Sequence, residues 1–129
     1  MTRCKLFVYG TLKRGQRRHD LLASGTFAGH ARTTPTVRLY VLAEYPALVE
    51  VITAGESVEG ELWDIPADEI DSMDRYEGSP YLFARRPIAL EGFDPNLLVE
   101  AYFYVPTLPL ATPTTTCWDG DDLTRNPSP

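Results

Sequence analysis

Residues Phe7-Val8-Tyr9-Gly10-Thr11-Leu12-Lys13-Arg14-Gly15 constrain this chain more than any other stretch, because an apolar run with the composition of a strand breaks into a loop bracketed by two glycines. Gly10 has access to backbone angles closed to other residues, so the N–H groups that follow it can converge on one point and form an anion-sized concavity. A carboxylate or a phosphate fits such a concavity. Read alone, the stretch is more simply a hairpin corner in which Gly10 and Gly15 serve as turn residues. A second segment far along the chain makes the difference.

That segment is Asp68-Glu69-Ile70-Asp71-Ser72-Met73-Asp74-Arg75-Tyr76-Glu77-Gly78, with Pro66 near its start and Gly78 at its end as helix punctuation. At about 100° per residue, Ile70, Met73 and Glu77 fall on one face of a short helix. Asp71 and Arg75 turn away toward water, with Asp74 between, so Glu77 is the acidic residue that shares the buried side. An ionised carboxylate there is costly unless paired. The alternative is that the last turn frays at Gly78 and Glu77 swings into solvent.

Taken together, the two segments resemble the γ-glutamylcyclotransferase-like family, and Phe7 to Gln16 is closest to its γ-glutamylamine cyclotransferase members. Tyr45-Pro46-Ala47-Leu48-Val49, Val58-Glu59-Gly60-Glu61-Leu62-Trp63, Asp74-Arg75-Tyr76-Glu77-Gly78 and Phe103-Tyr104 continue the resemblance in the family's order, over most of residues 5 to 105. The chain departs from the family at Phe83, which precedes Arg85 where a tyrosine is common, with Tyr81 nearby. The resemblance implies an α+β fold built on a small, mainly antiparallel β-barrel of about six strands with short flanking helices, an architecture that closes sheet edges. It also implies an enzyme forming 5-oxoproline, of lyase or acyltransferase type, in which the α-amine of a γ-glutamyl substrate attacks its own γ-carbonyl and releases an amine or amino acid.

That amine is an ammonium at neutral pH, so a carboxylate base is required within hydrogen-bond reach. Glu77 is the expected base, and the resemblance gives it the further duty of passing the proton to the departing nitrogen. The N–H groups at Gly10, Thr11 and Leu12 are expected to hold the substrate's α-carboxylate without a positive side chain. Tyr9 is expected to wall the site, and Tyr104 to supply a hydrogen bond from the last strand. The other reading of this fold is a non-catalytic protein that binds a small anion or a γ-glutamyl metabolite, since fold alone never guarantees activity.

The rest of the chain fits one domain. Its 129 residues, 43% of them hydrophobic, suffice for a real core and leave no room for a second. No run approaches the ~20 apolar residues of a membrane span, and no signal-peptide core precedes the first strand, so a cytoplasmic address is expected. Cys4 and Cys117 are expected to be free thiols. A net charge of -6 argues against nucleic-acid binding. Lys13, Arg14, Arg17 and Arg18 cluster beside the glycine loop and are expected to form a solvated face. A nucleotide module is disfavoured because the loop lacks the Gly-Lys-Ser/Thr ending of a P-loop.

No cofactor or metal is implied. His19 and His30 have no zinc spacing, and Asp119, Asp121 and Asp122 lack the remaining ligands of a calcium loop. Glu59 and Glu61 share one face of a strand, expected to be exposed. No serine lies in a Gly-x-Ser-x-Gly setting. Strands are expected over Lys5 to Tyr9, Thr36 to Leu42 and Val58 to Ile65, with a helical turn at His19 to Ala23. From about residue 106 the Pro/Thr-rich and then acidic tail is expected to be irregular and partly mobile. The sequence assigns neither the leaving group nor the oligomeric state.

Overall fold

The computed structural model describes residues 3–10, 12–14, 22–43, 45–79 and 81–118. Among these residues, eight strands and one short α-helix follow one another as β1 (Arg3–Val8), β2 (Thr26–Arg32), β3 (Val37–Val41), β4 (Pro46–Glu50), β5 (Glu59–Pro66), α1 (Ile70–Tyr76), β6 (Phe83–Pro87), β7 (Glu100–Tyr104) and β8 (Thr114–Thr115). They form a five-stranded sheet in the order β2-β5-β1-β7-β6 and a three-stranded sheet in the order β4-β3-β8. Pairing is antiparallel except between β1 and β7. The fold is thus mixed α+β and mainly antiparallel, as expected, but among the described residues the eight strands lie in two sheets that do not close into a barrel of six.

β1 lies at the centre of the larger sheet, and this explains its unbroken apolar run. Leu6 and Val8 point to one side, where they pack with Trp63, Ile65, Ile70, Met73 and Tyr102 under α1. Phe7 and Tyr9 point to the other, where they meet Leu39 and Leu48 of the smaller sheet. A strand buried on both faces shows no apolar–polar alternation. Its continuation past Val8 therefore emerges from the middle of the molecule, between the two cores.

The helix is built largely as its residues dictate. A 3₁₀ turn at Ala67–Glu69 leads from Pro66 into α1, whose buried residues are Ile70 and Met73. Glu77 is the C-terminal cap residue, its N–H bonded to the Met73 carbonyl at 2.9 Å. Gly78 then takes a φ of 68°, the left-handed conformation that ends helices and favours glycine. Glu77 therefore stays in register with Ile70 and Met73 and does not fray away.

Several strands lacked a readable signal. β2 is a sheet edge made of Thr26-Phe27-Ala28-Gly29-His30-Ala31-Arg32, with a bulge between Phe27 and Gly29. β4 begins at Pro46 on the edge of its sheet, a place where proline's missing N–H costs no ladder bond. The tail expectation needs correction over the described part. β8 pairs with β3, Glu59 N–H bonds to the Thr116 carbonyl at 2.7 Å, and Trp118 is buried in the core. β7, which carries Phe103 and Tyr104, is therefore not the last strand. The acidic run Asp119 to Asp122, Arg17, Arg18, His19 and most of the His19–Ala23 turn lie outside the described residues.

Candidate active site

A cavity of about 150 Å³ opens where β1 runs into the glycine loop. Tyr9, Gly10 and Leu12 line it from the loop side, and Tyr45 and Pro46 from the start of β4. Tyr76 and Glu77 close it from the end of α1, with Leu82, Phe83 and Tyr102 from the segments beyond. The two segments singled out in the sequence, 67 positions apart by Gly10 and Glu77 numbering, thus share one pocket.

Glu77 is the only Asp or Glu among the described lining residues. Its carboxyl is raised to about 7, first because burial penalises the charged form and then because Asp74 lies nearby. Among the described residues no hydrogen bond or ion pair offsets this on the carboxylate. A group with that acidity is close to evenly ionised at neutral pH, the condition under which one side chain can both take and return a proton.

The residues expected at the site divide as follows. Tyr9 is buried, and its hydroxyl donates to the Tyr102 carbonyl. Its phenol is pushed well above the usual value by burial, with Glu77 adding to the effect. Gly10 and Leu12 face the cavity, while Thr11 lies outside the described residues. Gly10 does not have a positive φ; it is needed because a Cβ there would stand 2.8 Å from Pro46 Cγ. Close approach, not an unusual backbone angle, requires the glycine. Tyr104 does not line the cavity. Its ring packs against Phe83 at 5.4 Å and Tyr45 at 6.4 Å between centroids, supporting two residues that do.

Sequence reasoning missed Tyr102, which lies on the same face of β7 two residues earlier. Its hydroxyl donates to Asp74 Oδ1 at 2.7 Å. Arg85 reaches the same carboxylate with Nε at 3.1 Å and Nη2 at 3.2 Å, and Glu100 with Nη1 at 2.7 Å. The hydrogen bond to Asp74 is the main reason that the Arg85 guanidinium holds its proton even more firmly than usual. Tyr102 is likewise raised, first by burial and then by its bond to Asp74. The signal was available in principle: an arginine in a strand soon after the helix needs an acidic partner, and Asp74 sits on the intermediate face.

Of the basic cluster expected to be a solvated face, Lys13 departs from the expectation, Arg14 is exposed, and Arg17 and Arg18 lie outside the described residues. Lys13 is buried and its Nζ donates to the Trp118 carbonyl at 2.7 Å, while Arg14 pairs with Glu61. Glu61 is correspondingly buried although Glu59 is exposed. Cys4 and Cys117 are free thiols. Among the described residues no group of three or more His, Cys, Asp or Glu is placed to hold a metal, and no helix is long and apolar enough to cross a membrane.

The fold and the cavity define a small α+β protein with one weakly acidic carboxyl set beside a glycine loop. The chain belongs to the gamma-glutamyl cyclotransferase, AIG2-like family, whose model matches residues 6–120. It is 32% identical over 87 residues to the gamma-glutamylaminecyclotransferase of Rattus norvegicus, covering 62% of this chain and 58% of that one. The human gamma-glutamylaminecyclotransferase is 32% identical over 93 residues, covering 67% and 61%. The matches thus span about three fifths of these curated relatives. Among solved structures, an AIG2-like protein of Mus musculus superposes with a TM-score of 0.81 over 92% of this chain and 90% of its own, at 24% identity, a likeness of fold. A uropathogenic E. coli-specific protein superposes with a TM-score of 0.75 at 25% identity, covering 90% of each chain.

Proposed function

We propose that this chain is a γ-glutamylcyclotransferase that converts a γ-glutamyl compound to 5-oxoproline and an amine or amino acid, with Glu77 as the group that moves the proton. The observation that carries this reading is the position of Glu77: a carboxyl raised to about 7, in a cavity walled on its other side by the Gly10 loop. Family membership and the names of the curated relatives support it.

In the proposed reaction Glu77, ionised, takes a proton from the substrate's α-ammonium. The freed amine nitrogen then attacks the γ-carbonyl carbon and closes a five-membered ring. As the tetrahedral centre collapses, the bond to the leaving nitrogen breaks and Glu77 returns a proton to that nitrogen. Glu77 is again a carboxylate once it has protonated the leaving nitrogen; the ring nitrogen's excess proton passes to the released amine, which departs as an ammonium, so protons balance and no water is consumed. The glycine-loop N–H groups at Gly10, Thr11 and Leu12 are assigned to the α-carboxylate, which turns the amine toward the γ-carbon. Effective positioning of this kind contributes as much as the base itself. Tyr9 and Tyr102 wall the cavity and present mainly protonated phenols near Glu77.

The test is a mass-spectrometric screen of γ-glutamyl amino acids, γ-glutamylamines, the γ-glutamyl-ε-lysine isopeptide and glutathione, run with the native chain and Glu77→Gln. Formation of 5-oxoproline by the first and its loss in the second is the expected result. A folded native chain that binds one of these compounds without forming 5-oxoproline would replace the reading with a binding protein of the same fold.

A further inference from the structure

Glu61 is a buried acidic side chain that the proposed reaction does not use, at 6% exposure on β5. Three donors converge on it. Oε1 accepts the main-chain N–H of Arg14 at 3.0 Å and the indole N–H of Trp63 at 3.1 Å, and Oε2 faces Arg14 Nε at 3.4 Å. The Trp63 contact belongs to the strand itself, two residues on along the same face. The Arg14 contacts instead reach from the sheet to the end of the glycine loop.

Arg14 is held on its far side as well. Its guanidinium carbon lies 3.8 Å over the Phe27 ring, and Nη2 lies 3.3 Å from His30 Nε2. Between Arg14 and the cavity there is little slack: Lys13 N–H bonds to the Gly10 carbonyl at 3.0 Å, and Gly10 sits against Pro46. A shift of Arg14 therefore passes through one tight turn to the cavity wall. The Lys13 bond to the Trp118 carbonyl secures the same turn from the opposite direction.

We infer that Glu61 is a positioning residue: by accepting the main-chain N–H of Arg14 it fixes the path of the Gly10–Arg14 loop, and with it the place where the loop meets an anionic group of the substrate. The identity of that group rests on the cyclotransferase reading. The Arg14 guanidinium plays a separate part, offsetting the negative charge that Glu61 would otherwise place behind an anion site. What matters for loop geometry is the acceptor oxygen, and what matters for the charge is Arg14.

Three variants separate these parts. Glu61→Ala removes the acceptor and should raise KM on the order of 10- to 100-fold, since small misplacements cost that much, while kcat stays within about 3-fold. Glu61→Gln keeps an acceptor oxygen and should restore KM to within about 3-fold of the native value. Arg14→Met keeps the main-chain N–H and should cost less than Glu61→Ala. Amide hydrogen exchange gives a readout that needs no turnover: Arg14 N–H should lose protection in Glu61→Ala while the β1 amides keep theirs. A folded Glu61→Ala with native KM, or with kcat lost at unchanged KM, overturns the inference, as does an Arg14 amide that stays protected. If the native chain forms no 5-oxoproline, the cyclotransferase reading fails on its own, and the exchange comparison still decides whether Glu61 holds the loop.

Discussion

Asp74 and Glu77 stand about one helical turn apart at the end of α1 and have opposite surroundings: Asp74 is tied to Arg85 and Tyr102, whereas Glu77 lines the cavity without a compensating partner among the described residues. Two carboxylates so close repel, and this raises the proton affinity of the one that lacks a cation. Glu77 is raised to about 7, first by burial and then by the nearby Asp74. The arrangement places Glu77, the proposed proton carrier, at the cavity and leaves Asp74 out of its lining.

The first consequence is the acid limb of the pH–rate profile. Glu77 must be ionised to accept a proton, so kcat should rise with pH through an apparent value near 7 and not near the ordinary 4.5. A further rise toward alkaline pH is expected in kcat/KM as more substrate arrives with a free amine. An acid limb near 4.5, or none, would show that a different group carries the proton.

Glu77 should also be a measurable liability to the fold. Its folded value lies above its unfolded one, so the native state binds more protons than the unfolded state between about 4.5 and about 7. Stability attributable to this group is therefore full below that window, falls as pH rises through it, and stays low above. Glu77→Gln should match the native chain at pH 4 and exceed it by up to about 3 kcal/mol at pH 8, while cutting turnover on the order of 10²- to 10⁴-fold. Urea melts at the two pH values check the first part, and equal stability differences at both would refute it.

The legibility of this site differs residue by residue. Gly10 and Glu77 were visible because each broke a local pattern, a glycine after an apolar strand and a carboxylate at core spacing. The reason for Gly10 was not visible, since it lies in the approach of Pro46, a contact no local rule contains. Tyr102 was hidden because every residue of β7 from Ala101 to Phe103 is buried, so no alternation marks the face that meets the helix. Lys13 and Glu61 escape the expectation of solvent exposure for a related reason: charge suggests solvent unless the partner is known, and their partners are far away in sequence. The open pair of sheets depended on edge strands such as β2 and β8, whose short or glycine-interrupted sequences carry little strand signal.

Gly10 offers a sharp steric test. A Cβ there would lie 2.8 Å from Pro46 Cγ and 3.0 Å from its Cδ, closer than packed carbons approach. Gly10→Ala should therefore cost about 1–3 kcal/mol in overpacking and weaken substrate binding, with Gly10→Val worse. Shaving the obstacle in Gly10→Ala/Pro46→Ala should recover part of the loss, as measured by thermal melts and KM. No recovery in the double variant would mean that Pro46 is not the obstacle.

Trp118 should behave as a core residue despite its place in a segment with tail-like composition. It is 4% exposed and packs with Phe7, Tyr9 and Leu39, and its carbonyl receives Lys13. Trp118→Ala should cost about 3–5 kcal/mol. Trp118→Phe should cost clearly less, because most of the apolar volume and the main-chain acceptor remain. Chemical denaturation measures both, and a native-like midpoint for Trp118→Ala would show the segment to be dispensable.

Asp74→Asn isolates the electrostatic influence on Glu77. The amide oxygen can still accept from Tyr102, but the negative charge is gone and Arg85 is left with Glu100 as its charged partner. Losing the charged bond should cost about 1–3 kcal/mol of stability. Both the missing negative charge and the less neutralised guanidinium favour ionised Glu77, so the acid limb should move to lower pH. The move should be smaller than the whole elevation, because burial is the larger cause and remains in place. Above the limb, kcat should stay close to native provided Tyr102 keeps its place. A limb that stays put or moves to higher pH, in a variant whose melt shows it folded, would mean that Asp74 does not act on Glu77 through its charge.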